Sequence, residues 1–561
     1  MPNLDRQRLT EAQRAEVVAC LSRLDEHDVV ARLWAADTSL WKPEAAAHQE
    51  IIAAALGWLT VFDDVREQLD GLRDFVGDVR AEGFRSAVLL GMGGSSLAPE
   101  VFRDVLGGDG LELHVLDSTD PAAVHAVEAA IDLDRTLFIV ASKSGGTTET
   151  ARFHDYFYAL LREHCGDHAG AHFVAITDEG TSLERRAVEQ GFRAVFINAS
   201  DIGGRYSALS FFGLVPAALL GLDLERLLDG ALAMARSCAA EVPAAENPAL
   251  QLGAALGALA AAGRDKLTLV CVPPLAPLGV WIEQLVAEST GKEGKGILPV
   301  DLEALDDVES YAADRVFCVV RVAGVPYASA VLEQLAAAGH PVLEHELAAV
   351  DDLAGEMLRW ELATAIAGFV LGIDPFDQPN VQESKDVTAK LLSAYAADGE
   401  LPASDDSDGP RRAFPVGDDE LPAALREFFA AVVPGDYVAL QAYVAPAARI
   451  WERLQSARLR LRDRLRVATT LGYGPRYLHS TGQYHKGGPN RGHFLQLVGH
   501  DPRDVKIPDQ PYSFSVLKRA QARGDLAALR AHDCRVMRVC LGDDVSARLA
   551  RLAELLAVAL R

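Results

Sequence analysis

Five hydroxyl side chains, a lysine and two adjacent glycines are gathered in the stretch Ala141-Ser142-Lys143-Ser144-Gly145-Gly146-Thr147-Thr148-Glu149-Thr150. Hydroxyls donate to phosphate oxygens, Lys143 adds charge, and Gly145 and Gly146 let the backbone approach a ligand. The apolar run Thr136-Leu137-Phe138-Ile139-Val140 precedes them, and Phe153, Tyr156, Phe157, Leu160 and Leu161 recur at helical spacing after them. The loop is therefore expected between the carboxyl end of a buried strand and the start of a helix, where free N–H groups and the helix dipole favour an anion. It is not a Walker pattern. Taken alone, it reads at least as well as a helix start with spare hydroxyls.

Other segments carry groups of the same kind. Gly91-Met92-Gly93-Gly94-Ser95-Ser96 follows the run Ser86-Ala87-Val88-Leu89-Leu90. As a dinucleotide fingerprint it fails at Ser96, where a third glycine is needed, although Asp117 stands at about the right distance for the ribose acid. A glycine turn opening a sugar-phosphate pocket fits better. Gly203-Gly204-Arg205-Tyr206-Ser207 offers a tight turn and a guanidinium, Glu288-Ser289-Thr290-Gly291-Lys292 a carboxylate at a helix end, and Phe376-Asp377-Gln378 through Lys385 a helix start. Leu478-His479-Ser480-Thr481-Gly482-Gln483 adds an imidazole, with His485 and His493 nearby. Each has a plain alternative: a surface arginine, solvated helix-end charges at Glu288, Lys292 and Lys295, a proline-started helix, a polar loop.

Positioning these groups requires regular elements. Short apolar runs ending at Leu90, Leu116, Val140, Ile176 and Ile197 alternate with helical patterns, which predicts a parallel doubly wound sheet with ligands beyond the carboxyl ends of its strands. Both the Gly91–Ser96 and the Ser142–Thr150 segments fall on that edge. Further runs at 267–272, 317–322, 341–343, 494–498 and 536–541 predict a second sheet of similar build. The expected organisation is an N-terminal helical segment (1–80), a first α/β domain (81–245), a second (246–395), a loop and helical insertion (396–470) rich in Asp, Pro, Gly and Ser at its start, and a C-terminal segment (471–561) completing the second domain. Val17, Leu21 and Leu24 mark one apolar helical stripe in the first segment, and Ile51, Ile52, Leu56, Leu59 and Phe62 another.

Composition narrows the function. Of 561 residues, 49% are hydrophobic, enough for a large core. The formal net charge of −26 opposes nucleic-acid and broad membrane binding, and means that a phosphorylated substrate must be held by local donors against the overall field. The seven cysteines form no CxxC pair, so neither a zinc site nor a disulfide framework is expected. No leader or membrane span is visible, and a cytoplasmic location is expected.

Taken together and in order, Gly91–Ser95, Ser142–Thr150, Gly203–Ser207, Glu288–Lys292 and Phe376–Lys385 resemble the glucose-6-phosphate (phosphoglucose) isomerases. The resemblance is nearest to the isomerase half of bifunctional transaldolase–isomerase chains, whose junction region is similar to Leu33-Trp34-Ala35-Ala36-Asp37 and Leu40-Trp41-Lys42-Pro43. It implies two sugar-isomerase (SIS) domains, a homodimer, and no metal or organic cofactor; no transaldolase barrel or activity is expected in this chain. It also implies that Glu288 is the base, Arg205 the cation for enediolate oxygens, and His479 and Lys385 the ring-opening groups. Gly93, Gly94, Ser95, Ser142, Lys143, Ser144, Thr147, Thr150, Glu149 and Gln378 are implied to bind substrate. Two features depart from the pattern. The Leu478–Gln483 segment follows Lys385 rather than preceding it, which leaves His485 and His493 as rivals to His479, and Gly145 replaces a bulkier residue, which would loosen the loop. A phosphosugar-binding regulator without turnover is the alternative from another class, and mannose 6-phosphate remains open as a further substrate.

Overall fold

The computed structural model describes residues 7–402 and 413–560; residues 403–412, in the middle of the expected Asp/Pro/Gly/Ser-rich loop, and 1–6 lie outside the described residues. The N-terminal segment is helical. The Glu11–Glu26 helix starts at a capping box between Thr10 and Gln13, and buries Val17, Leu21 and Leu24 on one face. The second expected stripe is interrupted: Ile52, Leu56, Leu59 and Phe62 are buried, but the helix ends at Ala53 and Ile51 points outward. The two tryptophans of the junction-like segment tether this region, Trp34 to the Cys238 carbonyl (2.8 Å) and Trp41 to the Ala365 carbonyl (2.8 Å).

The first sheet contains β1 (Ser86–Leu90), β2 (Glu112–Leu116), β3 (Thr136–Ala141), β4 (Phe173–Thr177) and β5 (Ala194–Ile197) in the order β2-β1-β3-β4-β5, all parallel. Every residue of β3 is buried, as expected of a central strand covered on both faces. β1 and β3 are neighbours with Leu90 opposite Val140, so the loops that follow them leave the sheet side by side. The doubly wound α/β class expected from the alternation is the one observed. A second, four-stranded parallel sheet contains β6 (Lys266–Cys271), β7 (Leu298–Val300), β8 (Arg315–Val322) and β9 (Val342–Leu347) in the order β7-β6-β8-β9.

The C-terminal segment does not complete that second sheet. β10 (Phe414–Pro415), β11 (Tyr437–Tyr443), β12 (Ala468–Tyr473), β13 (Gly492–Gly499) and β14 (Arg535–Gly542) form a third parallel sheet, ordered β10-β14-β13-β11-β12. The reason lies in Tyr437–Tyr443: it is buried throughout and supplies the central partner for β12 and β13, so residues 437–473 belong with the C-terminal strands rather than forming an insertion. The C-terminal segment also serves the first sheet. Val88, Leu90, Phe138 and Val140 share a core cluster with Phe153 and Phe157, with Leu392, and with Phe514 and Leu517 of the Phe514–Ala531 helix. The opposite face joins the N-terminal helices and the second sheet in one core.

Candidate active site

The Ser142–Thr147 loop leaves β3 and Thr147 occupies the position before the Thr148–Cys165 helix. Thr147 does not cap that helix; its hydroxyl instead meets Ser142 Oγ at 3.0 Å. The first-turn N–H groups are thus left without a side-chain cap, which suits a bound anion better than a self-contained helix start. Gly145 lies at φ +66°, and a Cβ there would come within 2.7 Å of Thr181 Cβ. Its small size is demanded by the turn and its packing, which corrects the expectation of a loosened loop. Lys143 Nζ pairs with Asp178 and donates to the Ser200 carbonyl at 2.7 Å. Its charge is already engaged in bracing the loop against the end of β4. Ser144, Thr147, Glu149, Lys385, His479 and Gln521 line a cavity of about 600 Å³ beside the loop. Thr150 is buried with no hydrogen-bond partner for its hydroxyl and does not line that cavity.

His479 closes one wall. Its Nε2 lies 3.1 Å from Glu149 Oε1, which also accepts from Gln521 Nε2 at 2.7 Å. Burial opposes the charge of Glu149, but the charge and hydrogen bond of His479, with Lys385 beyond, outweigh it and hold the carboxyl below its ordinary range. Lys385 projects from an exposed position of the Val381–Asp398 helix. Nearby, burial raises Asp117, at the end of β2, to about 6 against the pull of Arg476. His485 and His493 are engaged elsewhere. His485 is buried with Nδ1 3.0 Å from Tyr437 Oη, and burial pushes its imidazole down to about 3; His493 pairs with buried Asp436 at 2.9 Å. Of the rival histidines, His479 alone lines the cavity.

The Leu278–Thr290 helix brings the carboxylate. Gln284 and Glu288 lie one turn apart on it, and Gln284 Nε2 donates both to Glu288 Oε2 (3.2 Å) and to the His479 carbonyl (2.7 Å). That one amide joins the Glu288 side of the site to the His479 side. Arg205 Nη1 stands 3.6 Å from Glu288 Oε1. Arg205 is nearly inaccessible, at 3% exposure, and makes four hydrogen bonds: Nε donates to Ser289 Oγ (2.8 Å), Nη1 to Gln378 Oε1 (2.7 Å), and Nη2 to the carbonyls of Pro375 (2.7 Å) and Asp377 (2.9 Å). Such a network fixes the guanidinium before any ligand arrives. Gly94 is required by close approach, since a Cβ there would fall 2.0 Å from the Gly204 carbonyl oxygen; it packs the β1 loop against the arginine turn. Gly93 sits against Gln284 and His479, and Ser95 is half-buried in the same turn. Glu288, Arg205 and Gln378 do not line the cavity of about 600 Å³; Gln284 connects Glu288 to His479, which does.

Lys292 departs from the expectation of a solvated helix end. It is buried, donates to the Asp377 carbonyl (2.6 Å) and Oδ1 (2.7 Å), and is brought down to about 8 by burial and then by Arg205. His48, Asp374 and Asp377 bring three possible metal-ligand atoms together, but His48 Nδ1 already hydrogen-bonds Asp374 and Lys292 already pairs with Asp377. Sequence reasoning missed Gln284, Ser289, Gln521 and Thr119. Gln284 stands four residues before Glu288, where helical spacing could have found it, and Ser289 is adjacent to Glu288 within the same motif; Gln521 and Thr119 carry no local signal. Among the described residues, no helix is long and apolar enough to cross a membrane.

The family model described as phosphoglucose isomerase matches residues 50–297. A glucose-6-phosphate isomerase of Rubrobacter xylanophilus is 31% identical over 374 residues, covering 58% of this chain and 86% of that protein. One from Citrifermentans bemidjiense is 35% identical over 292 residues, covering 49% of this chain but only 52% of that protein. Among solved structures, a hypothetical protein of Thermus thermophilus superposes with a TM-score of 0.59 at 26% identity, over 69% of this chain and all of that one.

Proposed function

The chain belongs to the glucose-6-phosphate isomerase family, and from that premise we propose how it interconverts glucose 6-phosphate and fructose 6-phosphate. The observation that carries the proposal is Gln284, whose amide ties the Glu288 carboxylate to the backbone of His479 and so joins two chemical groups in one site. Ser142, Ser144, Thr147 and the N–H groups of the first helical turn hold the phosphate, with Ser95, Gly93 and Gly94 shaping the adjoining turn. Lys385 supplies charge that Lys143, paired to Asp178, does not.

His479, oriented by Glu149, moves the proton from the O1 hydroxyl to the ring oxygen; the C1–ring oxygen bond breaks and the C1 carbonyl forms. Glu288 then takes the C2 proton. The resulting cis-enediolate spreads its negative charge over O1 and O2, facing the fixed guanidinium of Arg205. Return of the proton to C1, with a proton passing from O2 to O1, yields the ketose. General acid–base transfer of this kind contributes about 10²–10⁴-fold. Thr150, buried away from the cavity, serves the loop's packing in this reading, and Gln378 acts by holding Arg205.

The test is exchange of the C2 proton of glucose 6-phosphate with solvent deuterium by the purified protein. Exchange is expected; saturable binding without it would leave a phosphosugar-binding module. The same proposal includes a cytoplasmic enzyme acting as a homodimer, which light scattering on the eluting protein checks.

A further inference from the structure

We infer that Gln521, held by Thr119, is a positioning residue for ring opening: it keeps Glu149 presented to His479. The inference rests on the role just proposed for His479 and deepens it. Gln521 lies mid-way along the Phe514–Ala531 helix, far in the chain from the loops it meets. It is buried at 4% exposure, and both ends of its amide are used. Nε2 donates to Glu149 Oε1 at 2.7 Å, and Oε1 accepts from Thr119 Oγ at 2.7 Å. Thr119 is fully buried and follows β2.

The amide has one workable orientation. Glu149 is held as a carboxylate and has no proton to give, so it must meet the NH₂ end. Turning the amide over would set its oxygen against carboxylate oxygen. The hydroxyl of Thr119 can donate or accept, so by donating it locks the orientation that Glu149 needs. Glu149 Oε1 then receives two donors, Gln521 and His479, and the carboxylate is fixed where the imidazole requires it. A carboxylate lacking the amide donor would be free to turn from the imidazole, as buried charge-assisted hydrogen bonds are the ones most costly to lose. The Phe514–Ala531 helix also packs on the helix of Lys385, where a Cβ on Gly524 would come within 2.4 Å of Thr388 Oγ. One element thus braces two groups of the cavity.

The role predicts a selective defect, because only the ring-opening step uses His479. Gln521→Met preserves length and burial but removes the donor. With glucose 6-phosphate it is expected to lower kcat about 10- to 100-fold with KM changed less than about threefold. Erythrose 4-phosphate, whose 4-hydroxyl is esterified and which forms no ring, should exchange its C2 proton at a rate within about twofold of the parent. Thr119→Val should show the same selectivity more weakly, and Thr119→Ser, which retains the hydroxyl, should restore the parent rate. If Gln521→Met is poorly folded, the Thr119 pair decides the matter. Equal losses on both sugars, no loss on glucose 6-phosphate, or Thr119→Ser as slow as Thr119→Val would overturn the inference. His479→Ala is the control: if it spares glucose 6-phosphate turnover, the underlying reading of His479 fails; if it does not and Gln521→Met does, only the role of Gln521 fails.

Discussion

At the scale of single residues, the site separates groups that change charge from groups that hold them still. Glu288, the proposed base, has one neighbouring amide donor and a guanidinium at 3.6 Å. Glu288→Gln keeps size and polarity but cannot accept the C2 proton. It is expected to lower kcat by about 10³-fold or more with modest change in KM, and to abolish C2 exchange. Near-normal exchange would point to another base. The proposed cradle is expected to behave differently, since it would hold phosphate alike before and during proton transfer. Thr147→Ala removes the hydroxyl paired with Ser142 and should chiefly raise KM, by about tenfold, with kcat little altered. A fall in kcat at constant KM would contradict its assignment to ground-state binding.

At the scale of elements, the site depends on long-range ties between sheets. Lys518 of the Phe514–Ala531 helix is buried at 1% exposure between Asp120, after β2, at 2.8 Å and Asp501, after β13. Removing the ammonium leaves buried Asp120 and half-buried Asp501 uncompensated, so Lys518→Ala should cost about 3–5 kcal/mol and shift the urea midpoint down. A loss below about 1 kcal/mol would show that the tie contributes little. A second buried group has the opposite sign of demand. On the Leu278–Thr290 helix and after β7, burial pushes Glu283 to about 8, with Asp301 adding to it, and Asp301 itself to about 7. Their folded values lie above the ordinary carboxylate range, so the folded chain binds more protons than the unfolded one between about pH 4 and pH 7–8, and stability falls as pH rises through that window. Asp301→Asn should remove part of this dependence and stabilise the protein at pH 8.5, by about 1–3 kcal/mol, relative to pH 5.5. Parallel melting curves of parent and variant at the two values would refute it.

At the scale of the whole molecule, a chain of formal charge −26 binds a dianion in a cavity whose cations are few and local. Long-range repulsion is screened by salt while the local donors are not, so kcat/KM should rise by about twofold as ionic strength goes from 0.02 to 0.2 M. A fall would mean that Lys385 and its neighbours dominate the field at the site. The amino-acid sequence by itself determined the α/β class, the strand–loop–helix placement of the Ser142–Thr147 segment and the motifs around Arg205, Glu288 and His479, because periodicity, glycine turns and hydroxyl clusters are local signals. It also placed the two loops on one sheet edge, since parallel strands alternating with helices leave their carboxyl ends together. Tertiary structure alone decided the rest. Whether residues 437–473 were an insertion or the centre of a third sheet turned on pairings between strands distant in the chain, and which of His479 and His485 lines the cavity turned on packing: His485 is buried against Tyr437. The engagement of Lys143, the burial of Lys292 and the support that Gln521 gives Glu149 rest on partners tens to hundreds of residues away. A side chain's type states which bonds it can make; only the packed fold sets which partner is within reach, and in the low-dielectric interior that choice fixes its charge and orientation.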